Sequence, residues 1–134
     1  MKKNPSNATD RESWIREDGV RVVRNERDQV ASEVEAEAKL HQEGYESFKW
    51  HDVPGAVYPR HRHEEDECLW ILEGTLEIEL TQDPPQKVLL SPGDRIYLPA
   101  KAPHRARIPA ETISPDGVTY LVGQKRSSHS GTRQ

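Results

Sequence analysis

The sequence predicts an all-β protein, an antiparallel sandwich or barrel with one helix packed outside it. Three observations carry this. From Gly44 onward the apolar residues recur with a period near two rather than 3.6. Turn residues interrupt that pattern at Pro54-Gly55, Glu73-Gly74, Asp83-Pro84-Pro85, Ser91-Pro92-Gly93, Pro103 and Pro115-Asp116-Gly117. No helix-like segment separates the strands so defined, which excludes an alternating α/β sheet. At 134 residues the chain has material for one core. Residues 44–123 hold most of its hydrophobic side chains, and 124–134 hold none.

Taken in order, residues 1–10 and 124–134 are polar and aperiodic, and read as loose tails. Residues 14–23 suggest a small hairpin, with Trp14-Ile15 and Val20 to Val23 on either side of a turn at Asp18-Gly19. Residues 28–43 are rich in Ala, Glu, Gln and Lys and predict the one helix. Asp28 is its expected cap, and Gly44 stands where a left-handed C-terminal residue belongs. Val30, Val34, Ala38 and His41 give it a narrow apolar stripe, and Glu35 and Lys39 an i,i+4 pair. Strands are expected at 45–50, 57–63, 67–72, 75–81, 87–90, 95–98, 104–108 and 118–122. The chain thus divides into an N-terminal tail, hairpin and helix (1–43), a barrel (44–123) and a disordered tail (124–134).

Two strands predict their surroundings. Leu76, Ile78 and Leu80 alternate with Glu77 and Glu79, so that strand has one wet face. In 67–72 (ECLWIL) both parities are apolar, so both faces are covered. One face belongs to the interior; the other meets the helix, a second sheet or another subunit. A stripe built on Val30, Val34 and Ala38 is too narrow to cover a sheet face alone. A homodimer is therefore expected, with Trp70 or Leu72 beneath the helix or at a two-fold interface.

Composition excludes several function classes. No apolar run approaches the ~20 residues of a membrane-spanning helix. A net charge of -4 argues against nucleic acid as the main partner. The start, MKKNPSNATDRES, has no apolar stretch behind its lysines and reads as lacking a secretory signal. The single cysteine, Cys68, rules out an internal disulfide framework and a thiolate zinc finger, and fits a reducing cytoplasm. There is no phosphate-cradling glycine loop, serine elbow or Cys/His nucleophile pattern, so any catalysis would be metal-centred.

The residues that suggest a metal are histidines. His61 and His63 sit at i and i+2 on an expected strand, where side chains share a face and two imidazoles can converge on one ion. Glu67 opens the next apolar strand, and His104 opens another after a Pro-containing turn. Three imidazoles and one carboxylate make a borderline donor set for Fe, Mn, Ni, Zn or Cu. Glu64, Glu65 and Asp66 stand beside Glu67 as rival carboxylates. Tyr58, Tyr97 and Tyr120 are candidate proton donors near such a site. Arg60, Arg62, Arg105 and Arg107 alternate with the inward residues and are expected in solvent. His41, His51 and His129 have no partner pattern.

Residues 55–74, GAVYPRHRHEEDECLWILEG, have the form G-x5-H-x-H-x3-E-x6-G. Residues 93–104, GDRIYLPAKAPH, have the form G-x5-P-x4-H. Together they resemble the two motifs of the cupin superfamily, over about half the chain. The resemblance implies a small double-stranded β-helix (jelly-roll) barrel, with a metal held inside by His61, His63, Glu67 and His104. Two positions depart from the pattern: Lys101 stands where the family often has Gly, and Ile108 where it often has Asn.

A divalent ion on three neutral ligands and one carboxylate keeps a charge of about +1 and up to about two open positions. That suits a small oxygen-donor ligand, above all a small organic acid that chelates. A dioxygenase-type oxidoreductase is the leading expectation, with isomerase or lyase chemistry beside it. A non-catalytic small-molecule binding or sensing role is the alternative.

Overall fold

Two antiparallel sheets face each other across one apolar layer. The computed structural model describes residues 12–26, 29–81, 85–110 and 115–125. Ten strands and one helix follow in the order β1 (Trp14–Ile15), β2 (Arg21–Val23), α1 (Glu33–Gln42), β3 (Tyr45–Asp52), β4 (Val57–His61), β5 (Glu67–Glu73), β6 (Leu76–Leu80), β7 (Gln86–Leu90), β8 (Arg95–Leu98), β9 (His104–Arg107) and β10 (Val118–Lys125). The larger sheet runs β1-β2-β8-β5-β10-β3 and the smaller β4-β9-β6-β7. All eight strands read from the turn pattern are present, and the whole is the β-barrel expected. The tail 1–10, the cap Asp28, most of the Asp83-Pro84-Pro85 turn and His129 lie outside the described residues.

Alternation builds the core. Leu69 and Ile71 of β5, Leu76, Ile78 and Leu80 of β6, and Ile96 and Leu98 of β8 meet between the sheets. The outer face of β6 is not the wet face expected: Glu77 is buried and Glu79 half-buried, because arginines of the neighbouring strand cover them. On β6, Glu77 and Glu79 lie opposite Arg107 and Arg105 of β9, with Arg107 Nη2 2.7 Å from Glu77 and Arg105 Nε 3.9 Å from Glu79. Both arginines thus have structural partners on the outer face. The 14–23 hairpin forms and adds itself to the large sheet through β8. It is tied down by Asp94, fully buried, which accepts from the Arg24 guanidinium and from the amides of Asn25 and Ser91.

The helix departs from its expected form. Ser32, not Asp28, caps it: the Ser32 hydroxyl accepts from the Glu35 amide while the Glu35 carboxylate accepts from the Ser32 amide. The helix therefore starts at Glu33, and Val30 precedes it. Its buried face is Ala36 and Leu40, whereas Val34, Ala38 and His41 are exposed. The reason lies in its exit. Gly44, at φ +94°, turns the chain straight into β3, so Leu40 and Tyr45 face the same cluster. Glu35 is taken up by the cap, and Lys39 reaches Glu43 (3.7 Å) instead.

Beneath that helix lie Cys68, Trp70, Tyr97 and Leu121. The second apolar face of β5 is thus covered within the chain, with Trp70 only 5% exposed. This face therefore needs no second subunit to cover it, because Ala36 and Leu40 do what the exposed stripe could not. Strand β10 also runs beyond the expected limit: Gln124 and Lys125 pair with Glu46 and Tyr45, so the C-terminal tail does not begin at 124. No described helix is long and apolar enough to cross a membrane.

Candidate metal centre

The site forms where the small sheet meets β5. Strands β4 and β9 pair with His61 directly opposite His104, and their ring centroids lie 4.4 Å apart. The pairing register shifts between Tyr58 and His61, and β4 ends at His61, so His63 stands beyond the strand rather than on it. What holds His63 is its carbonyl, which accepts from the Lys101 amide at 2.7 Å. Lys101 has φ +69°, the left-handed region that glycine adopts without strain. The family's frequent Gly at this position therefore has a local explanation, and Lys101 takes the same conformation at a cost.

One ligand atom from each of His61, His63 and His104 lies within 4.8 Å of the others. Two of the rings are pre-oriented. His61 Nδ1 is 2.8 Å from the Pro59 carbonyl and His104 Nδ1 2.9 Å from the Ala102 carbonyl. Each contact needs the proton on Nδ1, which leaves the Nε2 lone pair for an ion. Burial holds His104 down to about 4, and burial first, then His61, lowers His63. Near neutral pH both are uncharged imidazoles, the form that binds metal.

Glu67, the first residue of β5, is buried with its Oε1 3.3 Å from His63 Nε2. Desolvation raises its carboxyl to about 7, partly offset by a hydrogen bond with the Gln124 side chain. The His63 contact is therefore not an ion pair, since burial moves both partners toward their neutral forms. A buried carboxylate with no described cation to pair with is the kind of group a metal ion would return to the charged state. Among its rivals, Asp66 accepts from the Ala100 amide (2.8 Å), and Glu64 is exposed. The donor chemistry, the free Nε2 edges and the desolvated carboxylate together fit one divalent transition metal ion.

These groups open into a cavity of about 270 Å³ between the sheets, lined on its apolar sides by Leu69, Ile78, Ala106 and Val122. Tyr58 and Tyr120 line it too, as two of the three candidate phenols. Tyr97 does not. It lies on the helix side of β8, where its hydroxyl donates to Glu43 (2.7 Å) and accepts from Arg95 (2.8 Å). Trp70 and buried Cys68 share that outer side, and burial pushes the Cys68 thiol up. His41 and His51 are exposed, away from the site. Arg62 is exposed as expected, and the side chain of Arg60 lies outside the described residues.

Asp52 is the residue that sequence reasoning missed. It ends β3, is 7% exposed, and accepts from Tyr58 (2.5 Å), Tyr120 (2.7 Å) and Trp50 Nε1 (3.0 Å). All three donors line the cavity. The strand end is fixed by close packing: a Cβ on Gly117, at φ +80°, would meet the Asp52 carbonyl oxygen at 2.0 Å. The only sequence signal was the Pro115-Asp116-Gly117 turn, which gives no hint of its neighbour.

Comparison with known proteins places this geometry. The Cupin domain family profile matches residues 48–114, which include both histidine motifs. Dimethylsulfoniopropionate lyase DddQ of Ruegeria pomeroyi is 38% identical over 53 residues, 40% of this chain and 25% of that protein. The chain thus spans a quarter of the length of that relative. The crystal structure of DddQ matches with a TM-score of 0.51 and 26% identity, over 63% of this chain and 40% of that one. Oxalate decarboxylase of Bacillus subtilis, described with Mn(II) centers, gives a TM-score of 0.53 at 20% identity, over 85% of this chain and 26% of that one. KdgF from Halomonas sp. gives 0.51 at 22%, over 87% and 88%. The last two speak to the fold alone. A profile across half the chain and a barrel carrying its histidines at the motif positions lead to one conclusion: the chain belongs to the cupin family.

Proposed function

We propose that this protein is a metal-dependent enzyme acting on a small organic acid, with one divalent ion held by His61, His63, Glu67 and His104. The observation that carries the reading is the convergence of three imidazoles and a desolvated carboxylate on one small cavity. When bound, the ion would supply Lewis acidity to an oxygen-donor ligand. The chain supplies the rest. Leu69, Ile78, Ala106 and Val122 exclude water, and a cavity of about 270 Å³ restricts the ligand to a small molecule. Tyr58 and Tyr120 bring exchangeable protons to the same space, held by Asp52.

Those phenols favour lyase or decarboxylase chemistry, which moves protons, over the dioxygenase type suggested by the sequence. The name of the similar lyase supports the same choice. The lone buried Cys68 supports a reducing, cytoplasmic setting. A homodimer belongs to the proposal only through a surface other than the outer face of β5, and light scattering reads it. The deciding experiment is elemental analysis of the isolated protein, then incubation with dimethylsulfoniopropionate and with oxalate under an oxygen electrode. About one transition metal per chain and turnover without oxygen uptake are expected. Oxygen consumption would restore the dioxygenase reading. Bound metal without turnover of either acid would favour a binding or sensing role, and no metal would end the proposal.

A further inference from the structure

A second opening lies on the far side of the large sheet from the histidines. Helix α1, the residues that follow β2, and β8 border a groove of about 610 Å³, with Trp70 as its floor. Two polar groups there lack partners. The Trp70 side chain is 5% exposed, and its indole N–H is buried with no acceptor within reach. A buried donor in that state costs free energy that a bound acceptor would return. Arg95 lies over the same indole, its guanidinium carbon 4.3 Å from the ring centroid. Its Nε donates to the Tyr97 hydroxyl (2.8 Å), which donates in turn to Glu43 (2.7 Å). Stacking and hydrogen bond together fix the plane of the guanidinium fork. Its two Nη nitrogens have no hydrogen bond or ion pair among the described residues.

The other cations of the groove are committed. Arg24 meets Asp94 at 3.2 Å with both side chains buried, and Lys39 meets Glu43 at 3.7 Å. Glu26 and Glu35 also line the groove; Glu35 accepts from the Ser32 amide, and Glu26 is exposed. One uncommitted guanidinium with two carboxylates on the walls suits a ligand of single negative charge, and disfavours a dianion such as phosphate. Shape narrows the choice further. The paired Nη donors form a planar fork that matches the two oxygens of a carboxylate. A carboxylate oxygen also has a second lone pair, which the indole N–H can use.

We propose that this groove is a second ligand site, which takes a small carboxylate on the Arg95 fork and the Trp70 indole N–H. It shares no lining residue with the histidine cavity, so it stands or falls independently of the proposed function. The test is nuclear magnetic resonance on the isotope-labelled full chain, once as isolated and once stripped of metal. Sodium acetate is titrated against acetamide, which has the same shape and no charge, at constant ionic strength. The chain has three tryptophans, hence three indole N–H signals. Trp14→Phe and Trp50→Phe, neither at a buried position, identify that of Trp70 by elimination. Acetate is expected to move the Trp70 signal saturably at roughly millimolar concentration, at least about fivefold below acetamide, in both preparations. The Trp50 indole lines the histidine cavity and reports any binding there separately. Arg95→Met, which keeps an unbranched chain over Trp70, should abolish the saturable shift. Should that variant fail to fold, Arg95→Lys keeps the charge without the fork and should weaken acetate severalfold. No saturable shift of Trp70, an equal response to acetamide, or unchanged acetate affinity in the folded Arg95 variant would overturn the proposal.

Discussion

Replacing Glu67 by Gln in the metal-free protein should make it more stable at alkaline pH. The carboxyl is 5% exposed, and burial raises it from 4.5 to about 7. The folded state therefore holds its proton more tightly than the unfolded state does. Below pH 4.5 both states carry the proton and Glu67 costs nothing. As pH rises through 7 the folded protein must ionise a desolvated group, and stability is lost. The difference of about 2.5 units corresponds to an order-of-magnitude penalty of ~3 kcal/mol above pH 7. Gln carries no charge and can keep a side-chain contact with Gln124.

Thermal unfolding in EDTA at pH 8 should then place Glu67→Gln up to roughly 10 °C above the parent chain, with the gap closing near pH 4. His104 shifts with the opposite sign. Its folded value of about 4 lies below the ordinary 6.5, so stability falls as pH drops through that window. This contribution is common to both proteins and cancels in the comparison. Added metal should reverse the order, since the parent gains binding energy that the Gln variant gains only weakly. Equal or lower stability of Glu67→Gln at pH 8 in EDTA would refute the assignment of a desolvated carboxylate at this site. Glu65→Gln is the control, with little effect on either stability or metal affinity.

His63→Ala or His104→Ala should lower bound metal at least about tenfold by elemental analysis. Far-UV circular dichroism should remain β-rich, because core residues such as Ile71, Leu76 and Ile96 do not line the cavity; undiminished metal in both variants would move the site elsewhere. Lys101→Gly should gain roughly 0.5–1 kcal/mol in urea unfolding, relief of the left-handed strain being partly offset by glycine's chain entropy, whereas Lys101→Ala should gain nothing. Trp70→Asp should unfold the chain rather than dissociate it, since the side chain is sealed beneath α1. A folded monomer in light scattering would show that this face is not core.

What could be read from the sequence was what neighbours in sequence determine. Alternation and Gly/Pro turns marked every strand, but Tyr97, expected near the cavity, lies on the outer side of Arg95–Leu98 because its neighbours Ile96 and Leu98 face inward. The histidines were legible because their spacing is short and their frame is shared with a family. The helix face was not, because the burial of Ala36 and Leu40 is decided by the turn at Gly44 and by Cys68, Trp70 and Leu121 beyond it. Asp52 was the least legible of all. One of its tyrosines is six residues away and the other 68, and a lone acidic residue at a strand end resembles any solvated surface charge. Its meaning arises only when β3 and β10 pair, with Asp52 opposite Val118 and Trp50 opposite Tyr120. That pairing brings a carboxylate behind two phenols and an indole. The register of one edge strand thus sets the chemistry of the cavity wall facing the metal site.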